Sequence, residues 1–289
     1  MPCTVGSLLR EASAALVRAG IESASLDAQI LLAHVLNTTR EFVLIHNTAK
    51  VEQNSVAQFL DAVERRVCGE AVAYITHEKQ FFNHKYFITS HVLVPRPETE
   101  LLVEHALHYL KTAIKKNAAE ENSQLCYHDT CTGSGCVGIS IKAEIPELEV
   151  SVSDISYDAL KVCKNNMQRI LGYEIPCYQS DLLESVPGVF ACITANPPYI
   201  TTADTTVLLN SKLKEPRIAL DGGDDGLLYY KRLIPQAYKK LTQGGMLFVE
   251  IGEDQGEAVT VLYKAHGFED VIVFKDLCDH ERIVSGVRL

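Results

Sequence analysis

At positions 191–200 the chain reads Ala-Cys-Ile-Thr-Ala-Asn-Pro-Pro-Tyr-Ile. The apolar run 191–195 predicts a buried strand, and this strand must end at Pro197 because proline cannot donate to a sheet ladder and fixes its own φ. Asn196 precedes a proline, which favours an extended backbone at that position. Its carboxamide is therefore expected at the carboxyl end of a strand, where open α/β sheets bind ligands. Alone, the pattern is more typical of an ordinary proline-terminated strand end with an Asn turn.

Strand patterns alternate with helix patterns on both sides of this segment. Strands are predicted at 125–129, 149–153, 176–180, 189–195, 245–251, 271–274 and 283–287. Helical spacing of apolar residues separates most of these strands, which is typical of a parallel sheet covered on both faces. The sequence therefore predicts an α/β fold over this part of the chain.

Four of the predicted strands end in a polar side chain, namely Asp129, Asp154, Asp181 and Asn196. The carboxyl ends of parallel strands share one edge of a sheet, so these groups are expected on one rim. The turn at 130–135, Thr-Cys-Thr-Gly-Ser-Gly, lets a ligand approach the backbone, and the next helix presents its N–H groups there. Asp154 is placed to accept from both ribose hydroxyls, and Asp181 and Leu182 are placed beside an adenine ring. Together these features predict a nucleoside site.

The N-terminal part has a different pattern. Residues 1–70 carry four or five short amphipathic helix patterns, which predict a small helical bundle. Within 71–95, the aromatic-rich segment 81–88 has a polar turn at Asn83 and predicts a β-hairpin. We therefore expect a helical domain at 1–70, a hairpin linker at 71–95 and an α/β domain at 96–289.

Composition and charge exclude several classes of protein. A chain of 289 residues with 47% hydrophobic and 22% charged residues is globular and suits two domains. The formal net charge of −10 argues against charge-driven binding to nucleic acid or to an anionic membrane. We see no signal peptide and no apolar run near the about 20 residues of a membrane span. Nine cysteines without scaffold spacing favour a reduced, cytoplasmic protein, and Cys131 and Cys136 lack the second pair that a zinc site needs, so no metal is expected.

The turn, the acid and the Asn-Pro-Pro-Tyr element together resemble class I S-adenosylmethionine-dependent methyltransferases, in particular those that methylate planar amino or amide nitrogens. Five segments are further similar to the release-factor glutamine methyltransferases (the HemK-type family): 93–100 (LVPRPETE), 194–200 (TANPPYI), 215–220 (EPRIAL), 222–226 (GGDDG) and 279–282 (DHER). This resemblance covers nearly the whole chain. It implies a Rossmann-like fold with a seven-stranded, mostly parallel sheet, preceded by a helical bundle and a hairpin.

The resemblance also implies the reaction. S-adenosylmethionine would donate a methyl group to the side-chain amide (N5) of the glutamine in the Gly-Gly-Gln loop of peptide-chain release factors, leaving S-adenosylhomocysteine. Release factors would be the protein partners, docked mainly by the helical domain, with no direct nucleic-acid or membrane contact, and we expect a monomer.

The resemblance assigns roles residue by residue. Cofactor contacts fall on Asp129, Cys131, Thr132, Gly133, Ser134, Gly135, Asp154, Asp181, Leu182 and Asn196. Contacts to the substrate glutamine fall on Asn196, Pro197, Pro198 and Tyr199. Two positions depart from the family: Cys131 stands where glycine is usual, and Leu182 replaces an aromatic residue found in some relatives. Arg96 and Glu98, which precede the sheet, are expected at the rim of the cleft.

An amide nitrogen is a weak nucleophile because its lone pair is delocalised into the carbonyl. Acceptors that hold both N–H bonds favour the transition state as positive charge grows on nitrogen. We interpret Asn196 Oδ1 as one acceptor and the Pro197 carbonyl as the other, with the Tyr199 ring packed on the flat amide. These three residues are the predicted catalytic groups.

Three other interpretations remain open from the sequence. An adenine-N6 methyltransferase acting on DNA or RNA shares the Asn-Pro-Pro-Tyr chemistry, although no basic, aromatic-interleaved patch is evident. A glutamine methyltransferase acting on a ribosomal protein is a nearer alternative. The third is a release-factor-binding module without activity, whose cofactor site has decayed at Cys131.

Overall fold

The computed structural model describes residues 3–119, 125–210 and 214–289. The chain divides into two compact units. The smaller falls within Met1–Glu78 and Leu208–Lys214, and the larger within Lys79–Val207 and Glu215–Leu289. The helical part therefore extends beyond residue 70, and the hairpin strands lie almost entirely in the larger unit.

The smaller unit is a helical bundle, as predicted. Its helices are α1 Val5–Arg18, α2 Ala24–Val35, α3 Arg40–Ile45, α4 Gln53–Val67 and α5 Val72–Thr76. One face of α1 is buried because its apolar residues recur at helical spacing, and Leu16 is fully buried together with Leu31 and Phe59. The Arg66 guanidinium pairs at 2.7 Å with Asp27, which is 5% exposed, so the charge of this buried acid is compensated.

The larger unit contains a two-stranded hairpin and a seven-stranded sheet. The hairpin strands are β1 Glu78–Phe81 and β2 His84–Phe87. The sheet strands are β3 Cys126–Thr130, β4 Glu149–Asp154, β5 Cys177–Gln179, β6 Phe190–Ala195, β7 Leu241–Glu250, β8 Phe268–Lys275 and β9 Glu281–Arg288. The remaining helices are α6 Glu100–Ala119, α7 Cys136–Glu144, α8 Tyr157–Ile170, α9 Thr202–Asn210, α10 Leu228–Lys240 and α11 Gly256–Ala265.

The strand order is β5-β4-β3-β6-β7-β9-β8. All pairs from β5 to β7 are parallel, whereas β9 runs antiparallel to β7 and β8. This confirms the predicted seven-stranded, mostly parallel sheet. The chain builds outward from β3 to β5 on one side and from β6 onward on the other, so the order reverses between β3 and β6. Ligands bind at such a switch point in open α/β sheets.

No helix in the described parts of the chain has the length and apolar character needed to cross a membrane.

The hairpin, predicted as a linker, is tied to the helices of the sheet. The Tyr86 hydroxyl shares a 2.8 Å hydrogen bond with Ser140 Oγ and donates to the Cys136 carbonyl at the start of α7. Asn166, fully buried in α8, accepts from Phe87 N–H at 2.6 Å and donates to the carbonyls of Phe87 and Ser134 at 3.0 and 2.9 Å. The hairpin therefore supports the turn at 130–135.

Replacement of Asn166 by alanine is expected to lower the free energy of unfolding by about 3 kcal/mol, because three backbone groups lose their buried partner. Urea denaturation followed by circular dichroism measures this loss as a lower midpoint at unchanged slope. The matched control is Asn165→Ala, which removes an exposed amide from the preceding position of α8 and should change stability by less than about 0.5 kcal/mol. Equal losses in the two variants would contradict the supporting role of Asn166.

Candidate active site

The four predicted strand-end groups meet in one cavity. Asp129 is in β3 and Asp154 ends β4, while Asn196 follows β6 directly and Asp181 lies two residues after β5. All four line a cavity with about 970 Å³ of empty space, counted to its open mouth. Polar groups that converge on a partly apolar cavity are typical of a small-molecule site.

The Asp129 carboxylate stabilises the turn at 130–135 through hydrogen bonds to neighbouring protein groups. Its carboxylate accepts from Thr132 Oγ1 at 2.5 Å, from Thr194 Oγ1 at 2.7 Å and from Gly138 N–H at 3.3 Å. Burial raises the pKa of Asp129 to about 6, although the hydroxyls of Thr132 and Thr194 oppose this shift. Both carboxylate oxygens are thus occupied by protein donors, and the residue joins β3 and β6 to the first turn of α7.

The turn itself requires glycine at two positions. Gly133 and Gly135 have φ of +54° and +83°, a left-handed backbone that side chains disfavour. A Cβ on Gly135 would lie 2.6 Å from Cys163 Sγ and from Ile139 Cδ1. The turn therefore places its backbone close to the cavity, with the N-terminus of α7 behind it.

Asp154 lies across the turn at the end of β4. It accepts from Gly133 N–H at 2.8 Å and from Ser156 N–H at 2.9 Å, one on each oxygen. Burial raises the pKa of Asp154, and these two donors oppose that shift. Each carboxylate oxygen can accept a second hydrogen bond, so Asp154 retains capacity for two hydroxyl donors.

Asp181 and Leu182 form the next part of the wall. Asp181 is paired with the Arg232 guanidinium at 2.7 Å. Leu182 is 3% exposed, and its carbonyl accepts from Thr130 Oγ1 at 3.2 Å, which fixes its backbone beside β3. The cavity wall here is therefore apolar at Leu182 and charged at Asp181.

The Asn-Pro-Pro-Tyr element divides between the cavity and the core. Asn196 and Pro198 line the cavity, whereas Pro197 and Tyr199 are not among the described residues that line it. Asn196 Nδ2 donates to Thr99 Oγ1 at 3.2 Å. The Tyr199 ring packs on the core of the sheet, and its hydroxyl points to Glu250 Oε1 at 3.5 Å. The expected packing of this ring on a bound amide stays a prediction.

The glycine-rich segment 222–226 supports the same element from behind. A Cβ on Gly222 would lie 2.8 Å from the Pro198 carbonyl oxygen, and one on Gly226 would lie 2.5 Å from the Tyr199 carbonyl oxygen. Ile200 pairs with Asp221 in an isolated parallel bridge. The glycines are needed because the two segments are in direct backbone contact.

Of Arg96 and Glu98, which the sequence placed at the rim of the cleft without a role, only Arg96 is among the described residues that line the cavity. Arg96 lines the cavity and forms an ion pair with Glu215, which is 5% exposed. Glu215 also accepts from Val94 N–H at 3.2 Å. This pair therefore fixes segment 94–96 against the loop that follows α9.

Comparison with known proteins assigns a family to this arrangement. Residues 7–76 match the family described as "PrmC N-terminal domain", and residues 111–223 match "Methyltransferase small domain". The release factor glutamine methyltransferase of Clostridium acetobutylicum is 36% identical over 267 residues, which cover 91% of this chain and 90% of that protein. The protein of the same description from Leptospira interrogans is 36% identical and is aligned over 99% of both chains. This chain belongs to the release factor glutamine methyltransferase family.

The predicted family and the prediction of a methyltransferase are thereby confirmed. Among solved structures, the "hMettl16 catalytic domain in complex with MAT2A 3'UTR hairpin 6" has a TM-score of 0.55 at 13% identity, covering 82% of this chain and 83% of that one. At this identity the likeness shows the fold alone, and it agrees with the predicted class I fold.

Cys131, the departure from the family turn, has φ of +57°. For a residue with a Cβ, this left-handed conformation costs roughly 1–2 kcal/mol. The side chain packs against the core of the sheet at the cavity wall, and burial raises the pKa of its thiol, so the thiol is held neutral. In this methyltransferase Cys131 is a strained apolar wall residue.

A pair of variants separates the strain from the packing. Cys131→Ala and Cys131→Gly both remove the sulfur, but only glycine relieves the left-handed strain. We expect the glycine variant to exceed the alanine variant in free energy of unfolding by about 1 kcal/mol. Urea midpoints of both proteins, measured side by side, test this difference, and an alanine variant as stable as the glycine variant would exclude strain at this position.

Sequence reasoning missed two polar groups beside Asn196 in this methyltransferase. Thr99 closes the short 3-10 helix Pro97–Thr99 and is 2% exposed. Glu250 ends β7 and is 1% exposed. A signal for Glu250 was present, because an acid interrupts the otherwise apolar run 246–251 at the predicted end of a strand.

Proposed function

We propose that this protein transfers the methyl group of S-adenosylmethionine to the side-chain amide nitrogen of the glutamine in the Gly-Gly-Gln motif of peptide-chain release factors. The observation that carries this proposal is the position of Asn196, whose amide nitrogen donates to Thr99 on the wall of the same cavity that Asp154 lines. With Nδ2 held in this way, the opposite atom of the carboxamide, Oδ1, remains to accept from a substrate amide.

The residues present fit the proposed cofactor. Gly133 and Gly135 open the turn for close approach, Asp154 keeps two acceptor positions for ribose hydroxyls, and Leu182 offers an apolar surface to adenine. We infer that Thr132, Ser134 and Cys131, which line the same wall, contact the methionine part. When bound, S-adenosylmethionine supplies an electrophilic methyl group on a sulfonium.

The chain's own groups would prepare the amide nitrogen for attack. Asn196 Oδ1 accepts one N–H and the Pro197 carbonyl accepts the other, and both bonds strengthen as positive charge develops on nitrogen. The rings of Pro197 and Pro198 fix the direction of the backbone there, which reduces the reorganisation needed in the transition state. The methylated amide then releases a proton to solvent, so no general base is needed.

The smaller unit is proposed to dock the release factor. This proposal is supported by the match of residues 7–76 to the N-terminal domain of the family and by the exposure of Leu44 and Ile45 on α3. KM for a whole release factor should therefore be well below KM for a short peptide that carries only the Gly-Gly-Gln loop. Equal KM values would assign docking to the larger unit.

Mass spectrometry of a release factor after incubation with this protein and S-adenosylmethionine tests the proposed function. We expect one added methyl group on the Gly-Gly-Gln glutamine. Parallel reactions with ribosomal proteins and with an adenine-containing DNA or RNA should remain unmodified. A methyl group on one of these substrates and none on the release factor would overturn the proposal.

A further inference from the structure

Glu250 lies directly beside Asn196 at the edge of the sheet. Ala195 of β6 is paired with Val249 of β7, so Asn196, which follows β6, lies beside Glu250, the last residue of β7. The side chains of Thr99 and Asn196 face the Glu250 carboxylate and favour its charged form. Thr99 and Asn196 line the cavity, and Glu250 is buried beside them; we call these three residues the Glu250 cluster.

Glu250 is only 1% exposed, yet few polar groups stabilise the negative charge of its carboxylate. Oε1 accepts from Tyr199 at 3.5 Å, while Oε2 has no hydrogen bond of normal geometry to any described residue. No described cation forms an ion pair with it, because the nearby Arg282 is paired with Asp276 at 2.9 Å. Burial of an unpaired carboxylate is costly, so stability does not explain this residue.

A carboxamide can face its neighbours with either end. The Thr99 hydroxyl both donates and accepts, so it can bond Asn196 Nδ2 or Oδ1 and does not select between the two orientations. An ionised carboxylate only accepts, so Glu250 selects the orientation with Nδ2 turned inward. Oδ1 then faces the cavity.

We propose that Glu250 is a positioning residue for methyl transfer: its ionised carboxylate holds the Nδ2 end of Asn196, directly and through Thr99, and so keeps Oδ1 directed at the reacting amide. This inference rests on the proposed function, in which Asn196 Oδ1 accepts from the substrate. It adds a group outside the cavity wall that controls the acceptor.

The inference makes the reaction depend on pH. Burial raises the pKa of Glu250 to about 7, against the opposing effects of Thr99, Asn196 and Arg282. Protonated Glu250 carries an O–H donor, which attracts Asn196 Oδ1 and turns it away from the cavity. Activity should therefore fall as the pH drops through about 7.

The tyrosines and the thiol around Glu250 do not titrate in this range. The pKa values of Tyr199 and Tyr230, which contact its side chain and backbone, are both raised by burial, so both stay neutral. Burial also raises the pKa of Cys136. Arg282 stays charged and favours the ionised form of Glu250, whereas the acid Glu98 opposes it.

The test compares Glu250→Gln and Glu250→Leu with the wild type, using purified full-length protein. In the wild type, kcat should fall about tenfold from pH 8 to pH 6, following the ionised fraction of a group with a pKa near 7. Glu250→Gln keeps a carbonyl acceptor, so we expect part of kcat to remain, without the inflection near pH 7. Glu250→Leu should lower kcat at pH 8 by at least about thirtyfold while Kd for S-adenosylmethionine is unchanged.

Glu253→Gln is the matched control, because Glu253 is an acid three positions further on whose side chain is 59% exposed. Its pH profile should equal that of the wild type. A pH profile that is unchanged in Glu250→Gln, or a loss that appears in KM for the cofactor instead of kcat, would overturn the inference.

A second measurement needs no substrate. In ¹⁵N-labelled protein, the Asn196 side-chain amide signals, identified by their absence from Asn196→Ala, should shift with a midpoint near pH 7. The shift should be absent from Glu250→Gln. If the wild type left the release factor unmethylated, the proposed function would fail. The titration would still show whether the Glu250 carboxylate contacts the Asn196 side-chain amide. An amide signal that does not respond to Glu250 ionisation would overturn the inference by itself.

Discussion

Replacing Asn196 by alanine is expected to lower kcat for glutamine methylation about a thousandfold while Kd for S-adenosylmethionine changes by less than about tenfold. The variant removes an acceptor whose bond to the substrate strengthens only as charge develops on nitrogen, so the loss belongs to the transition state. The cavity keeps its cofactor groups, because Asp154 and the turn are bonded to each other and not to Asn196.

Single-turnover kinetics with saturating cofactor measure the chemical step, and titration calorimetry measures Kd. Asn165→Ala is the matched control, since it removes an exposed amide from α8 and should leave both quantities unchanged. If Kd for the cofactor increased far beyond tenfold, Asn196 would belong to cofactor binding, and the acceptor role would have to be abandoned.

Replacing Asp154 by alanine is expected to raise Kd for S-adenosylmethionine about a hundredfold. The variant removes two hydrogen bonds between a carboxylate and ribose hydroxyls, each worth about 1.5 kcal/mol. It also frees Gly133 N–H, which Asp154 holds at 2.8 Å, so the turn loses part of its support. At saturating cofactor, kcat should stay within about threefold of the wild type, because Asp154 does not touch the reacting amide.

Calorimetry at matched ionic strength checks the change in affinity. Asp158→Ala provides the control, because Asp158 is an acid in the first turn of α8 whose side chain is 52% exposed and pairs with Lys161. Its Kd should be that of the wild type. An unchanged Kd in Asp154→Ala would place the ribose elsewhere in the cavity.

Much of the fold could be predicted because its signals are local. Apolar runs closed by a polar residue gave the strands β3 to β6, and the small residues after Asp129 gave the turn. The hairpin was predicted from its aromatic strands and polar turn, but its role was not. Tyr86 and Asn166 join the hairpin to α7 and α8 through contacts between residues 50 or more positions apart, and no local pattern reports such pairing.

The site likewise divides into features that local sequence predicts and contacts that it does not. The sequence predicted that Asp154, Asp181 and Asn196 would share a rim, and the structure brings them into one cavity. It did not predict that Asp129 would be enclosed by Thr132 and Thr194, nor that Tyr199 would face Glu250. These contacts depend on the packing of β6 against β3 and β7.

The segment at 191–200 shows which features the sequence determines and which the tertiary structure determines. Its apolar run and two prolines are enough to end a strand and place Asn196 at a sheet edge, because strand pairing and proline geometry act over a few residues. The bonded partner of the Asn196 carboxamide, Thr99, comes from a distant 3-10 helix, and in our inference Glu250 of the neighbouring strand sets the direction of the carboxamide. The charge on Glu250 depends in turn on its removal from water. Desolvation and long-range neighbours exist only in the folded chain. Local sequence therefore places Asn196 at the sheet edge, whereas the tertiary structure determines the direction of its Oδ1.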